Sequence, residues 1–297
     1  LVEHATENRS VGGSIPPLGT IPQQIYEPLA GSPVVQTSVA ETMKQESSPV
    51  RRELAVGQVD VWLAAPDQIS ADDLRSYERL MSADEHARWT RFVVPKPRLQ
   101  HLVARALLRT TLSRYVDVAP SQWRFETNAY GRPHVAAPTL ACDLRFNISH
   151  TDGLVAVAVT KGHEIGVDVE NVTRSRDVSQ LAPSVFAPAE VATLERTAEL
   201  DRPDVFFAFW TLKEAYIKAR GMGLSLKLDG FVFDLSGTHP RVSFNDRCPD
   251  DASRWQFRRY RPTATHALAV AVSVPEDVVD VRLIWAVPDA EPDAAPS

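Results

Sequence analysis

Two stretches hold the residue types best suited to chemistry: "EIGVDVE" (164–170) and "FFAFWTLKEAYIKARGMGLSL" (206–226). At a strand period of two, Ile165, Val167 and Val169 share one face and Gly166, Asp168 and Glu170 the other. Two carboxylates on one face repel unless the face is wet or a cation sits between them. Oxygen ligands with no His or Cys nearby favour a hard ion such as Mg2+ over zinc. A solvated strand edge is the plainer alternative.

The second stretch reads as one helix ending at glycine. Val205, Phe209, Leu212, Tyr216 and Ala219 form an apolar stripe that Phe206, Trp210 and Ile217 widen, so the helix is expected to be buried over most of its circumference. Glu214 and Lys218 lie opposite the first stripe at i,i+4 spacing, where an intrahelical ion pair worth ~0.2–0.5 kcal/mol is the simple account. Phe207 falls on that side too, leaving little hydrated surface, and a buried carboxylate needs a partner or a metal. Glu214 is thus a candidate third ligand beside Asp168 and Glu170. Gly221 and Gly223 suit a left-handed helix stop.

Basic groups gather elsewhere. Residues 86–114 carry Arg88, Arg91, Lys96, Arg98, Arg105, Arg109 and Arg114, with His86 and His101 among them. "YGRPHV" (130–135) is a tight turn presenting Arg132 beside Pro133. In "FNISHT" (146–151), Phe146 and Ile148 point one way and Asn147 and Ser149 the other. His150 follows with hydroxyls on both sides, a credible phosphate clasp. Carboxylates for Mg2+ with Arg, Lys, Ser and His for several phosphates are what phosphoryl transfer needs. The sequence shows no P-loop, no GxGxxG and no kinase motif.

The elements that must position these groups are legible from periodicity. Strands are expected at 58–64, around "WRFET", "RPHVA" and "RFNIS", at 153–160 and 164–170, and near 230–235, 241–244, 254–261 and 266–274. Helices are expected over 70–92, with Ser70 and Ser82 as N-caps, over 97–116, 188–200 and 204–220. The chain divides on this basis into a disordered N-terminal extension (1–55), an N-terminal α+β part (56–161), a C-terminal α+β part (162–287) and a disordered tail (288–297). The first 55 residues are rich in Pro, Ser, Gly, Thr and Gln and lack a period.

Composition bounds the rest. The 297 residues are 44% hydrophobic and 24% charged, which excludes global disorder. The net charge of -6 argues against a nucleic-acid-coating protein. The two cysteines, Cys142 and Cys248, have no CxxC spacing and are expected to be reduced thiols. No apolar run approaches the ~20 residues that cross a bilayer, so no membrane association is expected. The N-terminus has neither a basic nor an apolar signal region, so a cytoplasmic protein is expected.

Taken in order, "YGRP", "FNISHT", "IGVDVE" and "FAFWTLKEAYIKARGMGL", within roughly residues 58–275, resemble the Sfp-type 4'-phosphopantetheinyl transferases, in the branch marked by a W-x-x-K-E-A helix. The resemblance implies a pseudo-twofold pair of similar α+β subdomains with the active site, and coenzyme A, in the cleft between them. It implies a Mg2+-dependent enzyme of the holo-[acyl-carrier-protein] synthase type that moves phosphopantetheine onto a serine of an acyl or peptidyl carrier protein in fatty-acid, polyketide or nonribosomal-peptide synthesis, and that works as a monomer. By that resemblance Asp168, Glu170 and Glu214 are the metal ligands, and Glu214 also takes the serine proton, directly or through water. Lys218 and His150 join it in catalysis. Lys213 and Lys218 contact the phosphates or the phosphopantetheine arm, Ser149 and His150 clasp the ribose 3'-phosphate, Arg132 and Pro133 lie along the nucleotide, and Lys96 and Arg88 serve the adenosine end. Arg174 and Arg176 are expected near the docked carrier. Thr151 stands where many members have a second serine, and the N-terminal extension is outside the family pattern. The competing expectation is a catalytically silent module of the same fold that binds coenzyme A or a carrier.

Overall fold

The computed structural model describes residues 52–173, 178–274 and 279–288. Most of the expected disordered extension and tail, and Arg174 and Arg176, lie outside the described residues. At the inner end of the extension, Arg52 N–H donates to the Arg114 carbonyl at 2.7 Å and Ala55 N–H to Gln58 Oε1 at 3.2 Å. Bonded chain therefore begins before residue 56.

The fold is α+β. In chain order it comprises β1 (Gln58–Ala64), α1 (Ala71–Leu80), α2 (Ala83–Thr90), α3 (Pro95–Ser113), β2 (Arg124–Thr127), β3 (Pro133–Ala137), β4 (Leu144–Thr151), β5 (Leu154–Lys161) and β6 (Ile165–Asn171). These are followed by α4 (Val178–Val185), α5 (Pro188–Arg196), α6 (Arg202–Arg220), β7 (Phe231–Asp234), β8 (Arg241–Phe244), β9 (Gln256–Thr263), β10 (His266–Val272) and β11 (Asp280–Trp285). The helical span expected over 70–92 is two helices, because Ser82 caps anew: its Oγ accepts Glu85 N–H while Glu85 Oε2 accepts Ser82 N–H. Ser70 caps α1 by accepting Asp73 N–H. Pro95, two residues earlier than the expected Pro97, opens α3.

One sheet runs β11-β1-β5-β4 and a second β6-β10-β9. Val59, Val61, Leu63, Leu154, Ala156 and Ala158 of the first sheet share one buried core with Ile165, Val167, Val169, Leu268, Val270 and Val272 of the second. The alternate residues of each sheet face a helix. Trp62, Val155, Val157 and Val159 pack on Val103, Leu107 and Leu112 of α3, and Ala269, Ala271 and Phe257 on Phe209, Leu212 and Tyr216 of α6. Strand parity thus produces the layering helix, sheet, sheet, helix.

The last strand crosses the sequence-drawn division. β11, in the part assigned to the C-terminal half, pairs in parallel with β1 of the first sheet. Arg282 is in register with Asp60 there, and its Nε and Nη2 donate to the buried carboxylate at 2.8 and 3.1 Å. Tyr115 Oη donates to the same group at 2.5 Å. An ion pair between residues 222 apart leaves no local periodic signal.

Candidate active site

Gly166 explains why α6 lies on the acidic face of β6. A Cβ there would sit 1.9 Å from the Ala215 carbonyl oxygen and 2.5 Å from Ala219 N, so only glycine allows this approach. Every α6 residue from Phe206 to Ala219 is buried as a result. The helix then stops at Gly221 in the left-handed conformation, φ 62°.

Asp168 and Glu170 therefore face Trp210, Glu214 and Lys218. Lys218 Nζ donates to Asp168 Oδ1 at 2.6 Å and to Ser149 Oγ at 2.9 Å. Its partner is a residue of another element, in place of the intrahelical pair with Glu214. Burial alone would pull the Lys218 pKa down, but Asp168, Glu214 and Glu170 together hold it above its ordinary value. Glu170 accepts from Trp210 Nε1–H at 3.2 Å and from Thr151 Oγ1–H at 3.3 Å. Burial and the charge of Asp168 push Glu170 up to about 8 and Glu214 up to about 7.

Among the described residues no three His, Cys, Asp or Glu side chains are gathered as a ready metal site. The chemistry of the set nevertheless suits a hard divalent cation. Asp168 Oδ2 is buried with no hydrogen-bond partner, and burial with the charge of Asp168 raises the pKa of two neighbouring carboxyls, an imbalance that a cation would relieve.

His150 lies on the opposite face of β4 from Ser149, with Phe146 and Ile148, on the side that packs against α3. Burial, Lys218 and Arg105 pull His150 down to about 4. His101 of α3 is likewise drawn down to about 4 by burial and Arg105, and its Nε2 is buried without a partner. Arg88 is exposed at the end of α2, and Lys96, at the start of α3, pairs with Asp152 in the turn after β4. Arg132 Nη1–H and Nη2–H donate to the Ala219 and Ile165 carbonyls at 2.6 and 3.2 Å, tying the β2–β3 turn to α6 and β6. Arg132 and Pro133 line a recess of about 510 Å³ that extends to Cys142 and Phe146.

Two of the expected groupings are not brought together in the structure. Lys213 is not brought to the carboxylates: fully buried, it pairs with Glu190 at 2.8 Å and donates to the Leu228 and Phe231 carbonyls at 2.7 Å. Helix rotation of about 100° from Glu214 turns it into the core of the second sheet. Ser149 is not beside His150 but against Asp168, to which its Oγ–H donates at 3.0 Å. Strand parity forces the two apart. The sequence presents Trp210 as an apolar residue of the helix stripe and Thr151 as a substitute for serine, and gives Asn147 and Asp152 no part in the site. The signal available was the parity of Asn147, Ser149 and Thr151, three hydrogen-bonding side chains on one strand face.

A buried carboxylate set with a lysine countercharge, bordered by basic groups from a second helix, is the equipment of an enzyme acting on a polyanion. Comparison with known proteins narrows this class. Residues 68–162 match the family described as "4'-phosphopantetheinyl transferase, N-terminal", and residues 164–271 match "4'-phosphopantetheinyl transferase superfamily". The chain is 31% identical over 225 residues to the 4'-phosphopantetheinyl transferase HetI of Nostoc sp., covering 76% of this chain and 92% of that relative. It is 29% identical over 220 residues to the 4'-phosphopantetheinyl transferase Sfp of Bacillus subtilis, covering 70% and 94%. To the L-aminoadipate-semialdehyde dehydrogenase-phosphopantetheinyl transferase of Mus musculus it is 23% identical over 212 residues, covering 67% and 69%. The chain belongs to the 4'-phosphopantetheinyl transferase superfamily.

Proposed function

We infer that this chain is a 4'-phosphopantetheinyl transferase that moves the phosphopantetheine arm of coenzyme A onto a serine of an acyl or peptidyl carrier protein, as enzymes of the holo-[acyl-carrier-protein] synthase type do. The observation that carries the reading is the meeting of Asp168, Glu170, Glu214 and Lys218 between β6 and α6, bordered by His150 and Lys96. Family membership gives the reaction class, and the intact carboxylate set disfavours a silent binding module.

Asp168, Glu170 and Glu214 would hold Mg2+, which when bound supplies neutralising charge at the pyrophosphate of coenzyme A. Lys218, kept protonated by its carboxylate neighbours, adds fixed positive charge where the pyrophosphate must lie. His150, with Lys96 and Arg88 further out, receives the 3'-phosphate, and Arg132 and Pro133 flank the nucleotide. The carrier serine Oγ attacks the phosphorus that bears the pantetheine; that O–P bond forms as the bond to the leaving 3',5'-ADP breaks. The serine proton passes to Glu214, directly or through water. A carboxylate that shares Mg2+ is a weaker base than a free one, so relay of the proton through a water is the easier route.

No helix among the described residues is long and apolar enough to cross a membrane. Meeting a carrier in the cytoplasm, as a monomer, agrees with this reading.

Intact-protein mass spectrometry of apo carrier proteins incubated with the chain, coenzyme A and Mg2+ tests it. A mass gain of one phosphopantetheine, lost with EDTA and with Glu214→Ala, is expected. Bound coenzyme A with no transfer to any carrier would favour the silent module.

A further inference from the structure

We propose that Ser149 and Thr151 of β4 are positioning residues that orient Asp168 and Glu170, within a side-chain seam that Asn147 continues, and that Ser149 belongs to this seam and not to a phosphate clasp. The proposal rests on the transferase reading above, in which those carboxylates hold a divalent ion.

Among the described residues β4 pairs by its backbone with β5 and β6 with β10, so the two strands do not form a ladder with each other. Side chains make the connection instead. Asn147 Oδ1, Ser149 Oγ and Thr151 Oγ1 accept the backbone N–H of Val167, Val169 and Asn171 at 2.9, 3.3 and 3.3 Å. Both strands advance by two residues per bond, so three side chains on one face of β4 meet alternate amides of β6.

The residues between those amides are Asp168 and Glu170. A hydroxyl has one proton, and an N–H donated into its oxygen leaves that proton for another acceptor. Ser149 gives it to Asp168 Oδ1 at 3.0 Å and Thr151 to Glu170 Oε2 at 3.3 Å. At Thr151 the β6 amide sets the direction of the relay, and at Ser149 the amide and the Lys218 ammonium, which donates to Oγ at 2.9 Å, set it together.

The consequence for Asp168 is an asymmetry between its oxygens. Ser149 and Lys218 both occupy Oδ1, and Oδ2 remains buried without a partner, open to an ion. On Glu170, Thr151 and Trp210 take one oxygen each and fix the plane of the carboxylate. Such outer partners are worth about 10–100-fold in metal affinity. A hydroxyl committed at both ends to β6 is not directed at a phosphate beside His150 on the other face.

The test uses the full chain with Mn2+ as the probe, its free concentration read by electron paramagnetic resonance, alongside transfer kinetics with coenzyme A and with 3'-dephospho-coenzyme A. Thr151→Val and Ser149→Ala are expected to weaken Mn2+ binding about 10-fold or more, with Thr151→Ser restoring it. Ser149→Ala is expected to keep the wild-type preference for coenzyme A over the dephospho form. Thr151→Ala replaces Thr151→Val should the latter not fold. A purely structural seam would lower Tm and leave Mn2+ affinity at the wild-type value, which overturns the proposal. Loss of the 3'-phosphate preference in Ser149→Ala with Mn2+ binding intact would return Ser149 to the clasp. Wild-type chain that neither binds Mn2+ nor transfers would remove the transferase reading together with the seam; variants matching a competent wild type would remove the seam alone.

Discussion

Lys218 Nζ lies 2.6 Å from Asp168 Oδ1, which ties the last turn of α6 to the middle of β6. The same ammonium is the nearby positive charge for Glu170 and Glu214. Lys218→Met should leave three carboxyls without that countercharge and lower kcat/KM for transfer by about 100-fold or more. Steady-state kinetics within threefold of wild type would exclude Lys218 from the chemistry.

The metal-free protein should lose stability as pH rises. Burial and Asp168 raise Glu170 to about 8 and Glu214 to about 7 in the folded chain, against about 4.5 unfolded. Folded chain therefore binds more protons than unfolded chain between these values. The stabilisation from the protonated forms is complete below about pH 4.5 and gone above about pH 8. Calorimetric Tm in EDTA should fall on the order of several degrees from pH 5.5 to 8.5, and Glu170→Gln should flatten the decline. A Tm that rises across this window would contradict the burial of these carboxyls.

Lys213 sits beside Glu190 in the core, both side chains fully buried. Lys213→Met should cost about 3–5 kcal/mol by leaving Glu190 buried and unpaired, and Glu190→Gln in the same chain should recover much of it. Urea midpoints measure the loss, and KM for coenzyme A in the folded fraction should not change. A raised KM with an unaltered midpoint would restore Lys213 to the phosphates.

His150 is neutral in the free protein because burial, Lys218 and Arg105 oppose its charging. A bound phosphate reverses that balance and favours the protonated ring. Binding of 3',5'-ADP should therefore take up protons, seen by calorimetry in buffers of different ionisation enthalpy, and His150→Ala should raise its Kd about 10-fold. An unchanged Kd in His150→Ala would remove His150 from the clasp.

Much of the fold was legible because it is local. Ser70 and Ser82 sit at the helix starts where capping chemistry puts them. The alternation of "EIGVDVE" correctly divides the inter-sheet core from the acidic face. α4 is too short for its period to stand out, and "DVRLIW" of β11 gains its meaning only from pairing with β1.

The candidate site was legible in its residue types and less so in its partners. Asp168, Glu170, Glu214 and Lys218 were assembled from two motifs, and the structure brings Lys218 onto Asp168 where i,i+4 spacing suggested Glu214. Trp210 and Thr151 became visible only as donors to Glu170.

By itself the sequence determined most of the elements, the candidate carboxylates and the family, since periodicity, capping and motif spacing are properties of neighbouring residues. Only the tertiary structure decided which way Lys213 and Ser149 turn and what they hold. Contacts between residues far apart in the chain depend on how helix α6 seats on Gly166 and how β4 lies beside β6. That seating is set by close packing of whole elements, which no local pattern encodes.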